Sequence, residues 1–201
     1  MMAELLKIGD PFSVAMLLYP EITQLDLTGP QEVFSKVRGV EVHLYWKNLT
    51  PITSASGLQL IPTRTFADES PIDLLCGSLL LGAAGLLSGY RATTHWTSMD
   101  NLEPLGAIAV NERVVCDRNC ITGAGVTAGI DFALTVIAQL WGEATARAVQ
   151  LGLEYDPQPP FAAGSPRTAL PEELQRLQVQ MRPLLERRME ATRKAAARLT
   201  T

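Results

Sequence analysis

The sequence predicts an α/β fold built on a mostly parallel central sheet. Apolar, strand-like runs alternate with helix-like segments along most of the chain. The first run, residues 13–19, is almost continuously apolar, as in a strand that is buried on both faces of a sheet. With 201 residues, 47% hydrophobic and 19% charged, the chain is long enough for one domain with a full core.

The other elements are predicted from local signals in chain order. A helix is expected to begin at Thr28–Gly29–Pro30, because proline suits the first helical turn. Alternating apolar residues predict a second strand at 40–46. The further elements are short strands at 57–61 and 63–66, a strand ending at Leu75 or Cys76, a helix from Gly77 to Gly85 or Gly89, a strand at 92–94, a helical turn at 101–105, a hairpin of 113–116 with 120–122, a glycine-rich turn at 123–129, a helix at 130–140 and a loop at 157–166.

The last part of the chain differs in charge. Residues 171–201 carry seven basic and four acidic side chains, a net charge of +3, so the remainder of the −4 chain carries −7. Leucines at helical spacing predict an amphipathic helix, and Pro183 is expected to break or kink it. We therefore predict an α/β domain over 1–170 and a basic helical segment over 171–201. A basic helix of this kind binds nucleic acid or a membrane, or it packs its leucines on the domain or on a second subunit; the last interpretation is preferred.

Composition also predicts the compartment. No apolar run approaches the roughly 20 residues of a membrane-spanning helix. The first residues lack the pattern of a secretory signal, and three cysteines do not suggest a disulfide framework. We expect a cytoplasmic protein with neither a nucleic-acid nor a membrane partner.

Cys76 lies where a strand is expected to turn into a helix. The N-terminus of a helix stabilises a thiolate, which is the nucleophilic form of cysteine. A buried strand cysteine without chemistry explains the same position. The residues alone leave both interpretations open.

Asp26 follows the first buried strand, near the edge where open α/β sheets place their sites. Partial desolvation there would suit the carboxyl group to proton transfer. Alternatively, it caps the helix predicted near Thr28.

Four ordered blocks carry a resemblance to a known family. They are YPEITQLDLTGPQEVF, GSLLLGAAGLLSGYRATTHW, RVV followed by TGAGVTAGIDFAL, and QLGLEYDPQPPFAAGSP. Together they resemble the isonitrile (isocyanide) hydratases of the PfpI superfamily. The resemblance implies a flavodoxin-like fold, shared with class I glutamine amidotransferases, and a homodimer.

The resemblance also implies a reaction and a site. In those hydratases a cysteine thiolate attacks the terminal carbon of an isocyanide, a carboxylate handles protons, and water releases an N-substituted formamide. Carried over to this chain, the catalytic pair is Cys76 and Asp26. Gly77, Gly125, Val126 and Thr127 would contact the substrate, and the reaction needs no metal or other cofactor.

The chain departs from the family at Cys76. Family members have a βα unit between the strand ending at Leu75 and the helix beginning at Gly77, and that unit leads to the nucleophile. A strand–helix–strand unit takes about thirty residues, and none are present here. Aligned from the following helix, Leu75 falls on the nucleophile; aligned from the preceding strand, Cys76 is a strand residue. The predicted fold is therefore shortened by about one βα unit.

Three functions remain open from the sequence. The first is isonitrile hydration, with activity impaired by the missing unit. The second is a catalytically inactive relative that senses ligands or thiols. The third, a general PfpI-type hydrolase or chaperone, is disfavoured because the cysteine–histidine pairing of that branch is not found.

Overall fold

Strands and helices alternate along residues 11–199, the part of the chain that the computed structural model describes. The strands are β1 (Phe12–Leu17), β2 (Val40–Trp46), β3 (Ile52–Thr53), β4 (Gln59–Leu60), β5 (Arg64–Thr65), β6 (Leu74–Cys76), β7 (Arg91–Ala92), β8 (Ile108–Ala109), β9 (Val114–Asp117) and β10 (Cys120–Gly123). The α-helices are α1 (Gln24–Phe34), α2 (Ser78–Ala83), α3 (Ala128–Trp141), α4 (Glu143–Gly152) and α5 (Pro171–Leu199). Two 3-10 helices span Trp96–Asn101 and Glu103–Leu105.

The central sheet has four strands in the order β5-β2-β1-β6. All three of its strand pairs are parallel. Phe12 pairs with Val40 at one end of β1, and Met16 pairs with Cys76 at the other. The predicted α/β fold with a mostly parallel sheet is confirmed.

The described residues divide into two compact units. The first contains residues 11–77 and 125–154, and so holds the central sheet with α1, α3 and α4. The second contains residues 78–124 and 155–199, including the β9–β10 hairpin and α5. The boundary between them falls between Gly77 and Ser78, directly after β6.

In the first unit, the core lies between one face of the sheet and α3. Val14 and Met16 of β1 are 0% and 3% exposed. Phe12 makes an edge-to-face contact with Trp141 of α3, with ring centroids 4.9 Å apart. Burying a side chain of this size contributes about 1.5–3 kcal/mol. This contact places the C-terminal end of α3 beside the Phe12 end of that face of β1.

Helix α1 begins at Gln24, so the prediction of a start at Thr28 is wrong. Pro30 lies inside the helix rather than in its first turn. Because proline has no N–H, it cannot donate the helical hydrogen bond to the carbonyl of Asp26, four residues earlier. The helix forms nevertheless because Leu27, Val33 and Phe34 are buried. Tertiary burial thus overrides the local proline signal.

Gly129 at the start of α3 lets the two helices approach closely. A Cβ on this residue would lie 3.0 Å from Pro30 Cδ and 3.9 Å from the carbonyl oxygen of Asp26. A side chain here would meet a proline ring that has little freedom to move away. The crossing of α1 and α3 therefore depends on a glycine.

Several shorter elements differ from the predictions. Helix α2 ends at Ala83, before either predicted glycine. Helix α4 was not predicted; only Ala146 and Val149 of its ten residues are buried. Strands β3 and β8 have two residues each, too few for a period to be read.

Helix α5 is continuous through Pro183. Within the second unit, it packs against the two 3-10 helices and α2. The Arg188 guanidinium donates to Ser98 Oγ over 3.1 Å, and Thr192 is buried. Among the described helices, none combines the length and apolar character needed to cross a membrane. The separation of 171–201 from a domain over 1–170 stays a prediction.

A glycine-to-alanine pair tests the α1–α3 crossing. We expect Gly129→Ala to lower the free energy of unfolding by about 1 kcal/mol, because its methyl group would press on the Pro30 ring. The matched variant is Gly152→Ala, where a Cβ would meet nothing within 4 Å; it should raise stability by up to about 0.5 kcal/mol. Urea denaturation measures both. Equal stabilisation by the two substitutions would contradict the close approach.

Candidate active site

The predicted site residues all lie in the first unit, at or near the carboxyl edge of its sheet. Asp26 lies in α1, which follows β1. The turn Gly125–Thr127 leads into α3. Cys76 is the last residue of β6, and Gly77 follows it. In open α/β sheets this edge is where ligands bind, because the loops after parallel strands converge there.

Cys76 is the last residue of β6 and is buried, with 9% exposure. Burial raises the pKa of its thiol to about 12, since a thiolate would lose its hydration in that environment. The expectation that a helix N-terminus stabilises a Cys76 thiolate is therefore wrong. Helix α2 has only six residues, and Cys76 pairs with Met16 within the sheet.

The strand register explains this burial. Residues paired across parallel strands point to the same side of the sheet. Cys76 therefore shares a face with Met16 and, by alternation, with the buried Val14 and Phe12. The thiol is buried in an apolar layer.

The same register separates Cys76 from the histidine of this unit. His43 pairs with Ala15, one residue out of step with the Met16–Cys76 pair, so it points to the opposite face. His43 Nε2 lies 3.5 Å from Glu41 Oε2. A Cys76–His43 dyad is incompatible with this arrangement.

Gly77 turns the chain after β6. Its φ of 144° lies in a region that L side chains rarely adopt. A Cβ at this position would also lie 3.3 Å from Leu17 Cδ1. The backbone turn beside Cys76 thus requires glycine, whatever contact Gly77 makes with a substrate.

Asp26 lies in the first turn of α1 and is exposed. Its backbone N–H donates to the Thr23 carbonyl over 2.9 Å. A negative charge is favoured at this end of a helix. The side chain is not partly desolvated as expected, because α1 begins earlier and Asp26 lies in its solvent-facing first turn.

The glycine-rich turn lies close to Asp26. The Ala128 N–H donates to the Gly125 carbonyl over 2.7 Å, and the Gly129 N–H donates to Val126 over 3.3 Å. Thr127 is exposed, while Gly125 and Val126 are half-buried. Because Gly129 approaches the Asp26 carbonyl, the fold brings Asp26 and the turn together. Cys76 shares their sheet edge but is buried, whereas Asp26 is exposed.

Two residues near this edge were not singled out from the sequence. Gly129 sets the approach of α3 to Asp26, and its signal is the small pair Ala128–Gly129 at a helix start. Tyr45 is 3% exposed, and its buried hydroxyl has no hydrogen-bond partner among the described residues. The alternating pattern of β2 does not indicate that this hydroxyl is buried. Tyr45 pairs with Leu17, so its side chain points to the sheet face opposite to that of Cys76.

The remaining cysteines lie on the β9–β10 hairpin. Cys116 is exposed and Cys120 is half-buried. Cys116 pairs with Ile121 and Cys120 with Asp117, so the two thiols point to opposite faces of the hairpin. Within residues 11–199, no cluster of three His, Cys, Asp or Glu side chains could hold a metal ion.

These features define a class: an α/β protein with a parallel sheet and polar groups gathered at its carboxyl edge. A model of the DJ-1/PfpI family matches residues 66–139, which include Cys76 and the turn Gly125–Thr127. Isonitrile hydratase from Pseudomonas putida is 46% identical over 92% of this chain and 97% of that protein. The chain belongs to the DJ-1/PfpI family.

A solved structure supports the same assignment. A THiJ/PfpI family protein from Pseudomonas syringae is 39% identical, covers 94% of this chain and 91% of its own, and superposes with a TM-score of 0.81. The regulator CdhR of Pseudomonas aeruginosa is 39% identical over 53% of this chain, but only 29% of its own length. The predicted flavodoxin-like fold and the resemblance to isonitrile hydratases are confirmed.

The alignment with the hydratase also contains a gap. It extends over 221 positions, whereas 92% of 201 residues is about 185, so about 36 positions of the relative have no counterpart in this chain. That number is close to the roughly thirty residues of a strand–helix–strand unit. In the described residues, the four-stranded sheet correspondingly ends at β6.

Alkylation tests the state of Cys76. At pH 8, a thiol with a pKa of about 12 is ionised in about one molecule in 10,000. We expect iodoacetamide to modify the exposed Cys116 of the folded protein rapidly and Cys76 far more slowly, with the rate at Cys76 rising sharply on unfolding in urea, as measured by peptide mass spectrometry. Rapid modification of Cys76 in the folded protein would contradict its burial.

Alkaline pH should weaken the fold through the same thiol. Its pKa is raised to about 12 in the folded protein from an unfolded value of about 8.5. The corresponding stability is complete below pH 8.5 and is lost as the pH rises toward 12, by up to about 1.4 kcal/mol per pH unit. Between pH 9 and 11, urea denaturation of Cys76→Val should show a smaller loss than the parent protein. If the free energy of unfolding fell equally steeply with pH in both proteins, the raised pKa of Cys76 would be disproved.

Proposed function

We propose that this protein hydrates isocyanides to N-substituted formamides. The observation that carries the proposal is the 46% identity to an isonitrile hydratase over 92% of this chain. The position of Asp26 in the first turn of α1 supports it, because the Asp26 backbone lies near Gly129, two residues after the turn Gly125–Thr127.

The reaction adds one water molecule to R–N≡C. The cysteine sulfur bonds to the terminal isocyanide carbon, and the thiol proton ends on that carbon, which gives a thioimidate, R–N=CH–S–Cys. Water then adds to the same carbon, the C–S bond breaks, and R–NH–CHO leaves with the thiol restored. The nitrogen gains its proton from the water, so atoms and charges balance.

In the proposal, Cys76 is the nucleophile and Asp26 transfers protons to and from the reacting atoms. Gly77 and Gly125 let the backbone approach the substrate, and Val126 and Thr127 form the wall beside it. An exposed carboxylate exchanges protons readily with solvent, which suits this role for Asp26.

Burial of Cys76 sets the rate in this proposal. With a pKa of about 12, the thiol is ionised in about one molecule in 100,000 at pH 7. The thiolate fraction, and with it the rate of attack, rises about tenfold for each pH unit up to that pKa. The proposed enzyme is therefore slow at neutral pH and faster in mild alkali.

Cyclohexyl isocyanide is a suitable substrate for the test. We expect formation of N-cyclohexylformamide, followed by gas chromatography with mass detection, to be slow at pH 7 and to rise about tenfold per unit to pH 9. Cys76→Ala should abolish the reaction, and Asp26→Asn should lower its rate by about a hundredfold.

Two control variants accompany these measurements. Cys116→Ala removes an exposed thiol on another element, and Glu32→Gln removes an exposed carboxylate of the same helix as Asp26. Both should keep the parent rate. Formamide production that survives in Cys76→Ala would reject Cys76 as the nucleophile. Isocyanide binding without any formamide would reject the hydratase and favour the catalytically inactive, ligand-sensing relative.

We also propose that the protein works as a cytoplasmic homodimer. The exposed apolar side chain of Leu177 in the first part of α5 supports a contact between two copies. Sedimentation of the parent protein and of Leu177→Glu measures the association. A monomer in both cases would reject the dimer.

A further inference from the structure

A groove lies within the second unit and is lined by none of the residues proposed for isocyanide hydration. It has a volume of about 360 Å³ and is bounded by the 3-10 helix Trp96–Asn101 and by α5. Leu185 and Met189 provide its apolar surface, and charged side chains border it. This volume falls in the range of small-molecule sites, about 300–1,000 Å³.

Asn101 lines the groove and is 3% exposed. Its Oδ1 atom is buried and accepts no hydrogen bond from the described residues. An unsatisfied buried acceptor costs about 1–3 kcal/mol, and such groups in native proteins call for an explanation. The terminal torsion of an asparagine is broad, and the proposal below requires a small rotation that brings the amide oxygen to the groove. A ligand N–H would then satisfy it.

Three charged side chains also line this groove: Asp100, Arg182 and Glu186. All three are exposed, and within the described residues no ion pair joins Arg182 to either carboxylate. Arg182 and Glu186 are four residues apart on α5, so they lie on one helix face. The groove thus offers acceptors for a cation and a donor fork for a carboxylate.

We propose that this groove binds a small zwitterion of the size of a free amino acid. Its ammonium group donates to the Asn101 amide oxygen and to Asp100 or Glu186, and its carboxylate accepts from Arg182. An aliphatic side chain contacts Leu185 and Met189. The site is independent of isocyanide chemistry, and its binding requires neither Cys76 nor Asp26.

Three probes that share one aliphatic body separate these contributions. L-leucine carries both charges, 3-methylbutylamine lacks the carboxylate, and 4-methylpentanoate lacks the ammonium group. By isothermal titration of the full chain, we expect L-leucine to bind with a Kd of about 1 mM and each single-charge probe to bind about tenfold more weakly.

Variants assign the two charges. Arg182→Gln should weaken L-leucine about tenfold and leave 3-methylbutylamine unchanged, whereas Glu186→Gln should weaken both. Arg187→Gln removes an exposed arginine of the same helix that does not line the groove, so it should change neither. Asn101→Leu should abolish binding while its Tm stays equal or rises, because an unsatisfied buried polar group is replaced by an apolar one of similar size.

Two results would overturn the proposal. One is the absence both of binding heat in the titration and of shifts in the NMR resonances of groove residues, at an L-leucine concentration of about ten times the expected Kd. The other is an L-leucine affinity that Arg182→Gln, Glu186→Gln and Asn101→Leu leave unchanged. A change of oligomeric state in the groove variants without L-leucine binding would assign the groove to a contact between copies instead. The formamide assay is unaffected by any of these outcomes.

Discussion

The pairing of β1 with β6 is the constraint on which the chemistry of this protein depends. Register places Cys76 opposite Met16, on the face of the sheet that also carries the buried Val14 and Phe12. Burial on that face raises the pKa of the thiol to about 12. A shift by one residue would turn the thiol to the other face and change its environment entirely. Thiol reactivity here follows from sheet geometry more than from the neighbouring helix end.

A second contact organises the polar part of the edge. Pro30 inside α1 and Gly129 at the start of α3 allow the two helices to approach closely where they cross. The crossing brings the carbonyl of Asp26 near the segment that follows the turn Gly125–Thr127. The backbones of Asp26 and of the residues after the turn are thus brought together by the packing of α1 on α3 within the first unit.

Comparison with the hydratase shows what distinguishes this chain. About 36 aligned positions of that relative are missing here, and the sheet ends at β6 within the described residues. The boundary between the two compact units falls immediately after β6. In this chain, which passes directly from β6 to α2, Cys76 ends a strand and is buried. This is the physical reason for proposing a slow hydratase.

The sequence by itself determined the class of fold, the long strands β1 and β2, the β9–β10 hairpin and helix α3, because their apolar periods are strong and local. It also identified the family, the absence of one βα unit, and Asp26 with the turn Gly125–Thr127 as candidates. Only the tertiary structure decided where α1 begins, that α4 forms, and that Cys76 is a buried thiol. Those outcomes depend on which surfaces distant segments cover. Desolvation of a thiol and tolerance of Pro30 are set by such contacts, and no local pattern of residues records them.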